Sequence, residues 1–514
     1  MLAGAALGAA MALPLVYLLI TVADSAGDAL EIVTTSRTLE LTARSVGLAA
    51  AVTAGAIAIA VPLAWLTART DLPGRRAWSV LAALPLVIPS YMGAYAVLSA
   101  LGPAGLLRDV LGGPLGVERL PDITGFPGAW LVLTLFTYPL VFLPVRAALR
   151  GLDPQLEEAA LGMGRSQWQT LRTVVLPQLA PAIAAGGILV ALYALHDFGA
   201  VSIMRFDSFT REIFTAYRAS FDRTGAAALS LILVALMVVL VWLEFRARGG
   251  ATLHRSGPGG TRPARLVPLG RWRLPSLAFC ALICGLALAL PIAVLGYWSL
   301  QSFSGDPNWG ETVEAAGSSL LVSGFAALAA AACAVPIAVL SVRFPSRGSR
   351  LVERLTYTGY ALPGIVVALA MVFLATRSVP ALYQTLALLL AVYAIRFAAQ
   401  PVGGLRAALA ASPPAMEEAG RVLGDGPLRA FVRVTLPYLR PSLVAGVALV
   451  FLTVIKELPL ALLLSPIGFQ TLATDVWDAA SAGFYARAAA PAAVLLLVSI
   501  VSVGALQRAE AGEW

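Results

Sequence analysis

Charge is scarce in this chain. Of its 514 residues only 12% are Asp, Glu, Lys or Arg and 59% are hydrophobic, whereas a soluble domain carries roughly 25% charged residues. A water-soluble core has no use for that much apolar surface, so an ordinary soluble protein is excluded. Lysine is almost missing: Lys456, in L-T-V-I-K-E-L-P, stands alone. A phosphate-cradling G-x-x-x-x-G-K-[ST] loop needs a lysine in a glycine-rich setting, so ATP hydrolysis by that route is excluded. Histidine occurs twice, at His196 and His254, with no Ser/His/Asp grouping and no H-E-x-x-H, and no residue is put forward as catalytic or as a metal ligand. The three cysteines, Cys280, Cys284 and Cys333, are odd in number, lack metal-type spacing and lie inside apolar runs. They read as small helix-packing residues rather than a disulfide framework.

What the chain has instead is length of apolar run. Runs long enough to span a bilayer occur near 4–23, 42–66, 77–101, 126–149, 180–204 and 225–245, then near 275–299, 318–342, 352–375, 380–402, 441–464 and 486–507. About 20 apolar residues cross a membrane as a helix. These runs are too long and too uniformly apolar for barrel strands, so all twelve are expected to be helices. The fold class is therefore all-α integral membrane, with about twelve transmembrane helices in two six-helix halves. Met1 leads almost directly into the first run, which reads as a retained span rather than a signal peptide.

The net charge of +8 does not point to nucleic acid, because the arginines sit in short segments between apolar runs. Such loops orient a membrane protein. Arg69–Arg76, Arg146–Arg172, Arg246–Arg273, Arg343–Arg354 and Arg406–Arg440 should share one side. Asp24, Asp28, Glu31, Asp109, Glu118, Asp122, Asp306, Glu311 and Glu314 fall on the other. The basic side is the cytoplasmic one, which puts both termini there. The Gly-, Pro- and Arg-rich stretch from Arg246 to Arg265, containing His254, reads as a cytoplasmic linker. The expected domains are 1–250, a linker over 251–274, and 275–514.

An internal repeat supports that division. An offset of 260 places Glu417, Glu418 and Ala419 on Glu157, Glu158 and Ala159, Gly424 on Gly164, Leu436-Pro437 on Leu176-Pro177, Pro441 on Pro181 and Phe469 on Phe209. Nearer the start of each half an offset of 274 places Ser319 on Ser45, Pro336 on Pro62 and Pro363 on Pro89.

Two loops carry the mechanism, each between the fourth and fifth spans of its half. They read E-E-A-A-L-G-M-G-R-S-Q-W-Q-T-L-R-T-V-V-L-P (Glu157–Pro177) and E-E-A-G-R-V-L-G-D-G-P-L-R-A-F-V-R-V-T-L-P (Glu417–Pro437). Each follows a proline-containing turn, Asp153-Pro154 or Ser412-Pro413-Pro414, and places acids in the first turn of a helix, where the helix dipole favours them. Gly164 and Gly424 are expected to end or bend that helix. A second amphipathic piece follows, and Pro near a helix start introduces the fifth span. A helix–glycine–helix knob on a membrane face suits a groove in a partner.

The pattern E-A-A, three residues, G, nine residues, an aliphatic, one residue, L-P resembles the cytoplasmic loop of binding-protein-dependent ABC importer permeases. Glu158, Ala159, Ala160, Gly164, Val174, Leu176 and Pro177 match it, as do Glu418, Ala419, Gly424, Val434, Leu436 and Pro437; Gly420 departs from the second Ala. The segments His196–Thr210, Lys456–Thr471, Arg69–Arg76 and Ala361–Ala370 are similar to the ferric-iron permeases, which also fuse two six-span units in one chain. The resemblance implies a type I importer permease (MetI-like) fold and a translocation path working by alternating access. It implies coupling of these loops to two copies of a separate cytoplasmic ABC ATPase, with ATP-Mg bound in those subunits and no cofactor in this chain. It further implies a periplasmic binding protein as donor, ferric iron as substrate, and a multi-pass place in the bacterial inner membrane. Thiamine, sulfate and polyamine permeases share much of the pattern and remain alternatives. A twelve-helix secondary transporter is a third, because R-T-D-L-P-G-R-R is similar to a loop of the major facilitator group, although R-F-P-S-R-G-S-R in the second half lacks the Asp.

The repeat also aligns His196 with Lys456 and Asp197 with Glu457, in the fifth spans. Ionisable groups there are costly unless they face a bundle interior or water. Two readings stand: a gate or path lining in which Lys456 pairs with Asp197 or Glu457, or an ion pair locking the halves. Pro85, Pro89 and Pro363 in the third spans are expected to bend those helices.

Overall fold

A computed structural model describes residues 2–103, 105–108, 119–152, 154–248, 266–304 and 309–511. Most of the expected linker with His254, and also Asp109, Glu118, Asp153 and Asp306, lie outside the described residues. The described chain is helical, with one isolated parallel bridge between Thr70 and Val267. Among the described residues nine helices are long and apolar enough to cross a membrane, and three bent helix pairs raise the number to twelve.

Two compact units form, and they do not follow the sequence halves. One holds Met1–Leu30, Phe221–Ser230 and Ser299–Trp514; the other holds Glu31–Ser220 and Leu231–Trp298. The opening helix of each half therefore belongs to the unit built mainly from the other half. Leu2–Asp24 packs on Arg347–Ala361 and Gly364–Ser378, and Met11 sits in an apolar cluster with Ile337, Val402, Leu405 and Leu439. In the other unit Trp298 donates its indole N–H to Ser99 Oγ at 2.6 Å.

Each unit is built on the same three-helix contact. Ser36–Arg69, Pro139–Gly151 and Leu176–His196 pack mutually in one, and Trp309–Arg343, Ala399–Ala411 and Leu436–Val454 in the other. Small residues at every fourth position make this possible. Val52, Ala56, Ala60 and Ala64 are fully buried, and so are their repeat partners Ala326, Ala330, Ala334 and Ala338. In a bilayer helices gain little from apolar burial alone, so close backbone approach through small residues supplies the packing. A Cβ on Gly186 would stand 2.7 Å from Val141 Cα, and one on Gly446 would stand 2.6 Å from Pro401 Cβ. Large apolar side chains point outward instead, as with Leu320, Leu321, Phe325 and Leu328 on Trp309–Arg343, where lipid receives them.

The third spans, expected over 77–101 and 352–375, do bend at their prolines, and the bends are near right angles. The pair Arg75–Val87 and Ser90–Arg108 turns through 100°, and the pair Arg347–Ala361 and Gly364–Ser378 through 106°. Proline disfavours the helical conformation in the residue before it and lacks an N–H. Ile88 (ψ 122°) and Leu362 (ψ 141°) are accordingly extended, and Pro89 and Pro363 cap new helices. The fifth spans also stop short of the expected 204 and 464, ending at His196 and Val454 before short helices at Gly199–Ile203 and Pro459–Leu464.

The repeat needs one adjustment. Ser45 Oγ accepts the Phe209 N–H at 3.2 Å, and Ser319 Oγ accepts the Leu472 N–H at 2.7 Å. Ser208 and Thr471 cap the two matching helices, Phe209–Arg218 and Leu472–Ser481. Phe209 thus corresponds to Leu472, not to Phe469, and the second half carries three extra residues after its fifth span.

Candidate functional site

In both loops the acids open a short helix, Pro154–Gly162 in the first and Pro414–Val422 in the second, with Glu157 and Glu417 in the first turn. Glu157 and Glu417 are half-buried, Glu158, Ala159, Glu418 and Ala419 are exposed, and Ala160 and Gly420 face inward. A Cβ on Gly420 would touch Ala430 Cβ and Val434 Cγ2 at 3.5 Å, ordinary contact. The departure from Ala at this position is therefore tolerated by the packing without being required by it.

Gly164 (φ 82°) and Gly424 (φ 96°) end these helices in the left-handed region, where a side chain is disfavoured. The next residue closes each turn, Arg165 N–H to Ala160 O at 3.2 Å and Asp425 N–H to Gly420 O at 3.1 Å. The chain then re-enters a helix by different means. Ser166 and Gln169 form a reciprocal capping box in the first loop, whereas Pro427 takes the first helical position after Gly426 in the second. A π turn follows at Leu171–Val175 and at Phe431–Thr435. Each runs into Leu176-Pro177 or Leu436-Pro437, where the missing proline donor interrupts the regular ladder. The fifth span departs from there.

The outer surface of both knobs is apolar and basic. Leu156, Leu161, Met163 and Trp168 are exposed on the first, and Met416, Val422, Leu423 and Leu428 on the second. Arg172 lies over the Trp168 ring at 5.7 Å, and Arg429 and Arg433 reach Asp425 at 3.8 and 3.3 Å. Val422 and Leu423 are each 87% exposed, which is unfavourable in water unless a partner covers them.

The knobs are tied to the bundle through the end of the second span. Arg69, buried, pairs with Glu157. Its repeat partner Arg343 donates to Ser412 O at 3.3 Å, while Glu417 accepts from the Thr435 hydroxyl. The residue entering from the linker joins the first of these nodes: Val267 N–H donates to Arg69 O at 2.8 Å, and Leu269 N–H to Asp71 Oδ1 at 2.8 Å. Within each unit the basic segments gather at one end. At the opposite end stand acid-containing pairs such as Arg44 with Asp207 and Arg487 with Glu311.

The ionisable residues of the fifth spans lie where those spans break. Asp197 is buried and caps the following helix, accepting from Ala200 N–H at 2.9 Å and Val201 N–H at 3.4 Å. It also accepts from Ser90 Oγ, the first residue after the Pro89 break. The carboxylate thus sits at two helix N-termini, where aligned peptide dipoles favour negative charge. His196 packs its ring on Tyr193 at 5.3 Å. In the other unit Glu457 occupies the same place, just before the short helix Pro459–Leu464. Its ion-pair partner is Arg396 at 3.6 Å, a residue outside every motif in the sequence. The signal for it was a lone arginine inside L-A-L-L-L-A-V-Y-A-I-R-F. Lys456, next to Glu457, is half-buried.

Known proteins resemble this chain over most of its length. The family described as "Binding-protein-dependent transport system inner membrane component" matches residues 60–246 and again 333–510. The Fe(3+)-transport system permease protein FbpB 2 of Haemophilus influenzae is 32% identical over 507 residues, covering 98% of this chain and 96% of the relative. The ferric transport system permease protein FbpB of Actinobacillus pleuropneumoniae is 23% identical over 478 residues, 87% of this chain and 68% of the relative. The molybdenum transport system permease protein ModB of Escherichia coli is 32% identical over 198 residues, 36% of this chain and 82% of the relative.

Proposed function

The chain belongs to the binding-protein-dependent transport system inner membrane components, and from that premise we propose that it imports ferric iron, driven by separate ATPase subunits that grip its two loops. It is a multi-pass membrane permease with two fused MetI-like halves. In this reading each knob seats in one copy of a cytoplasmic ATPase that binds ATP-Mg. Nucleotide-driven movement of the knobs passes through Arg69–Glu157 in one unit and Thr435–Glu417 with Arg343 in the other. The broken third and fifth spans are the elements that then change angle to open the path alternately to each side. A periplasmic binding protein delivers the substrate, and both termini lie in the cytoplasm.

The observation that carries the coupling reading is the pair of knobs, alike in backbone and exposing apolar side chains that nothing in their own unit covers. Gly164→Val and Gly424→Val test it, because a β-branched residue resists the left-handed conformation. The expected result is loss of ATPase co-purification and of uptake, with the chain still inserted. Uptake that persists after the ATPase partner is deleted would refute it. For the substrate, similarity over nearly the full length to one ferric permease, and over 87% of this chain to a second, supports iron, and radiolabelled ferric iron uptake by cells with and without the chain is the measurement. The similarity to the molybdenum permease favours an oxyanion as the second reading. Labelled molybdate taken up in place of iron would establish it.

A further inference from the structure

Three helix breaks in the second half meet at one ion pair. Gly364 opens the helix after the Pro363 break of the third span, Arg396 precedes the 47° bend at Ala398 in the fourth, and Glu457 follows the break of the fifth. A Cβ on Gly364 would lie 2.6 Å from Glu457 Oε1 and 2.7 Å from Arg396 Nη1, so the glycine makes the space that the pair fills. The pair is loose, however. Arg396 and Glu457 stand 3.6 Å apart, with side chains 7% and 15% exposed. Among the described residues Nε and Nη1 of Arg396 and Oε1 of Glu457 have no hydrogen-bond partner. Buried charged donors left in that state are costly, and a conformation that completes their bonds is favoured over one that does not.

The first half shares the breaks of the third and fifth spans, while its fourth, Phe126–Gly151, continues as one span, and its arrangement is closed. Ser90 replaces Gly364 and donates to Asp197, and Phe136 replaces Arg396 with its ring against Gly93, where a Cβ would come within 2.2 Å. Asp197 there has a hydroxyl and two backbone N–H donors, and nothing in the set waits for a partner.

We propose that Arg396 is a positioning residue for transport: it latches Glu457 in a direct, hydrogen-bonded pair in the alternate state of the cycle and releases it in the state seen here. The second half supplies the moving hinge, and the Ser90–Asp197 contact keeps the first half's breaks fixed. The latch rests on the proposal that partner ATPases drive the chain.

The experiment uses the full transporter with its ATPase in lipid nanodiscs, spin-labelled at Tyr357 and Ser378 on either limb of the Pro363 break. The label separation is measured without nucleotide and with trapped ATP, and uptake is measured in parallel. The wild type is expected to shift between the two states. Arg396→Met and Gly364→Ala are expected to abolish the shift and to lower uptake about tenfold, the size of a typical coupling between sites. Arg396→Glu combined with Glu457→Arg is expected to restore both, which a merely structural loss would not allow, and Ser90→Ala is expected to leave the shift intact. A wild-type shift retained in Arg396→Met overturns the latch, as does a charge-swapped chain that inserts normally yet regains neither shift nor uptake. A wild type that takes up substrate without any shift overturns the latch alone. A wild type whose uptake ignores the ATPase overturns the coupling reading and the latch with it.

Discussion

In the first loop Glu157 takes a guanidinium from the second span; in the second loop Glu417 takes a hydroxyl from its own following segment. The change traces to one position. Residue 175 is Val and its repeat partner 435 is Thr, so Glu157 has no local donor and Arg69 turns to it. Where Thr435 satisfies the acid, Arg343 is released to a backbone carbonyl at Ser412. The same backbone knob is thus anchored by an ion pair on one side and by two weaker contacts, each with one neutral partner, on the other. The breaks of the fifth spans divide the same way: a saturated Asp197 in the first half and a loose Glu457 in the second. Duplication has kept the skeleton and divided the electrostatic work.

The sharpest way to break the comparison is Arg69→Met. It leaves a half-buried Glu157 without its cation, and breaking a buried pair costs about 3–5 kcal/mol, here about 2–3 because the carboxylate keeps some water. Thermal unfolding in detergent should fall accordingly, and ATPase coupling with it. Arg343→Met, by contrast, should cost about 1 kcal/mol, one ordinary hydrogen bond. Equal losses would show that the two anchors are equivalent. The difference can also be transplanted: Val175→Thr in the Arg69→Met chain offers Glu157 the hydroxyl that Thr435 gives Glu417, and should return about 1 kcal/mol of the loss.

The close helix crossings should behave alike in the two units, which makes them the control. Gly186→Ala and Gly446→Ala each force a methyl into a contact under 3 Å, an overpacking that costs about 1–3 kcal/mol. The two losses should be similar, because Val141 Cα and Pro401 Cβ are both held by the backbone and neither can rotate away. Comparative melting of the single variants checks it, and unequal losses would show that the two crossings are not equivalent.

The loops were legible in the sequence because their signals are local: acids in a first turn, a glycine at a left-handed position and Leu-Pro before a span each fix conformation within a few residues. The twelve apolar runs were legible for the same reason. Chain direction at Pro89 and Pro363 was not, since an apolar run containing proline is compatible with a kink or with a right-angle break, and tertiary neighbours decide. The exchange of opening helices left no trace, because hydrophobicity says that Leu2–Asp24 is buried in something and not in what. Arg396 was hidden by its setting, since a lone arginine near a span end reads as an interfacial charge until Gly364 and Glu457 are seen around it. Phe469 misled the alignment because a phenylalanine sits at the offset of 260 by chance, while the contacts with Ser45 and Ser319 that define the register join residues far apart in sequence.

The smallest predicted effect concerns the one mismatch between the loops, Ala160 against Gly420. Both positions face inward in a short helix, and a methyl on Gly420 would meet Ala430 and Val434 at ordinary contact distance. Gly420→Ala should then stabilise the second knob by about 0.5–1 kcal/mol, the usual helical gain over glycine. Uptake should be unchanged, since Val422, Leu423 and Leu428, the exposed side chains proposed to dock, keep their places. Slower proteolysis of the second loop with unaltered uptake would confirm it. A fall in uptake would mean that the second knob must loosen during the cycle, and that the glycine marks the weaker-anchored half as the one that bends.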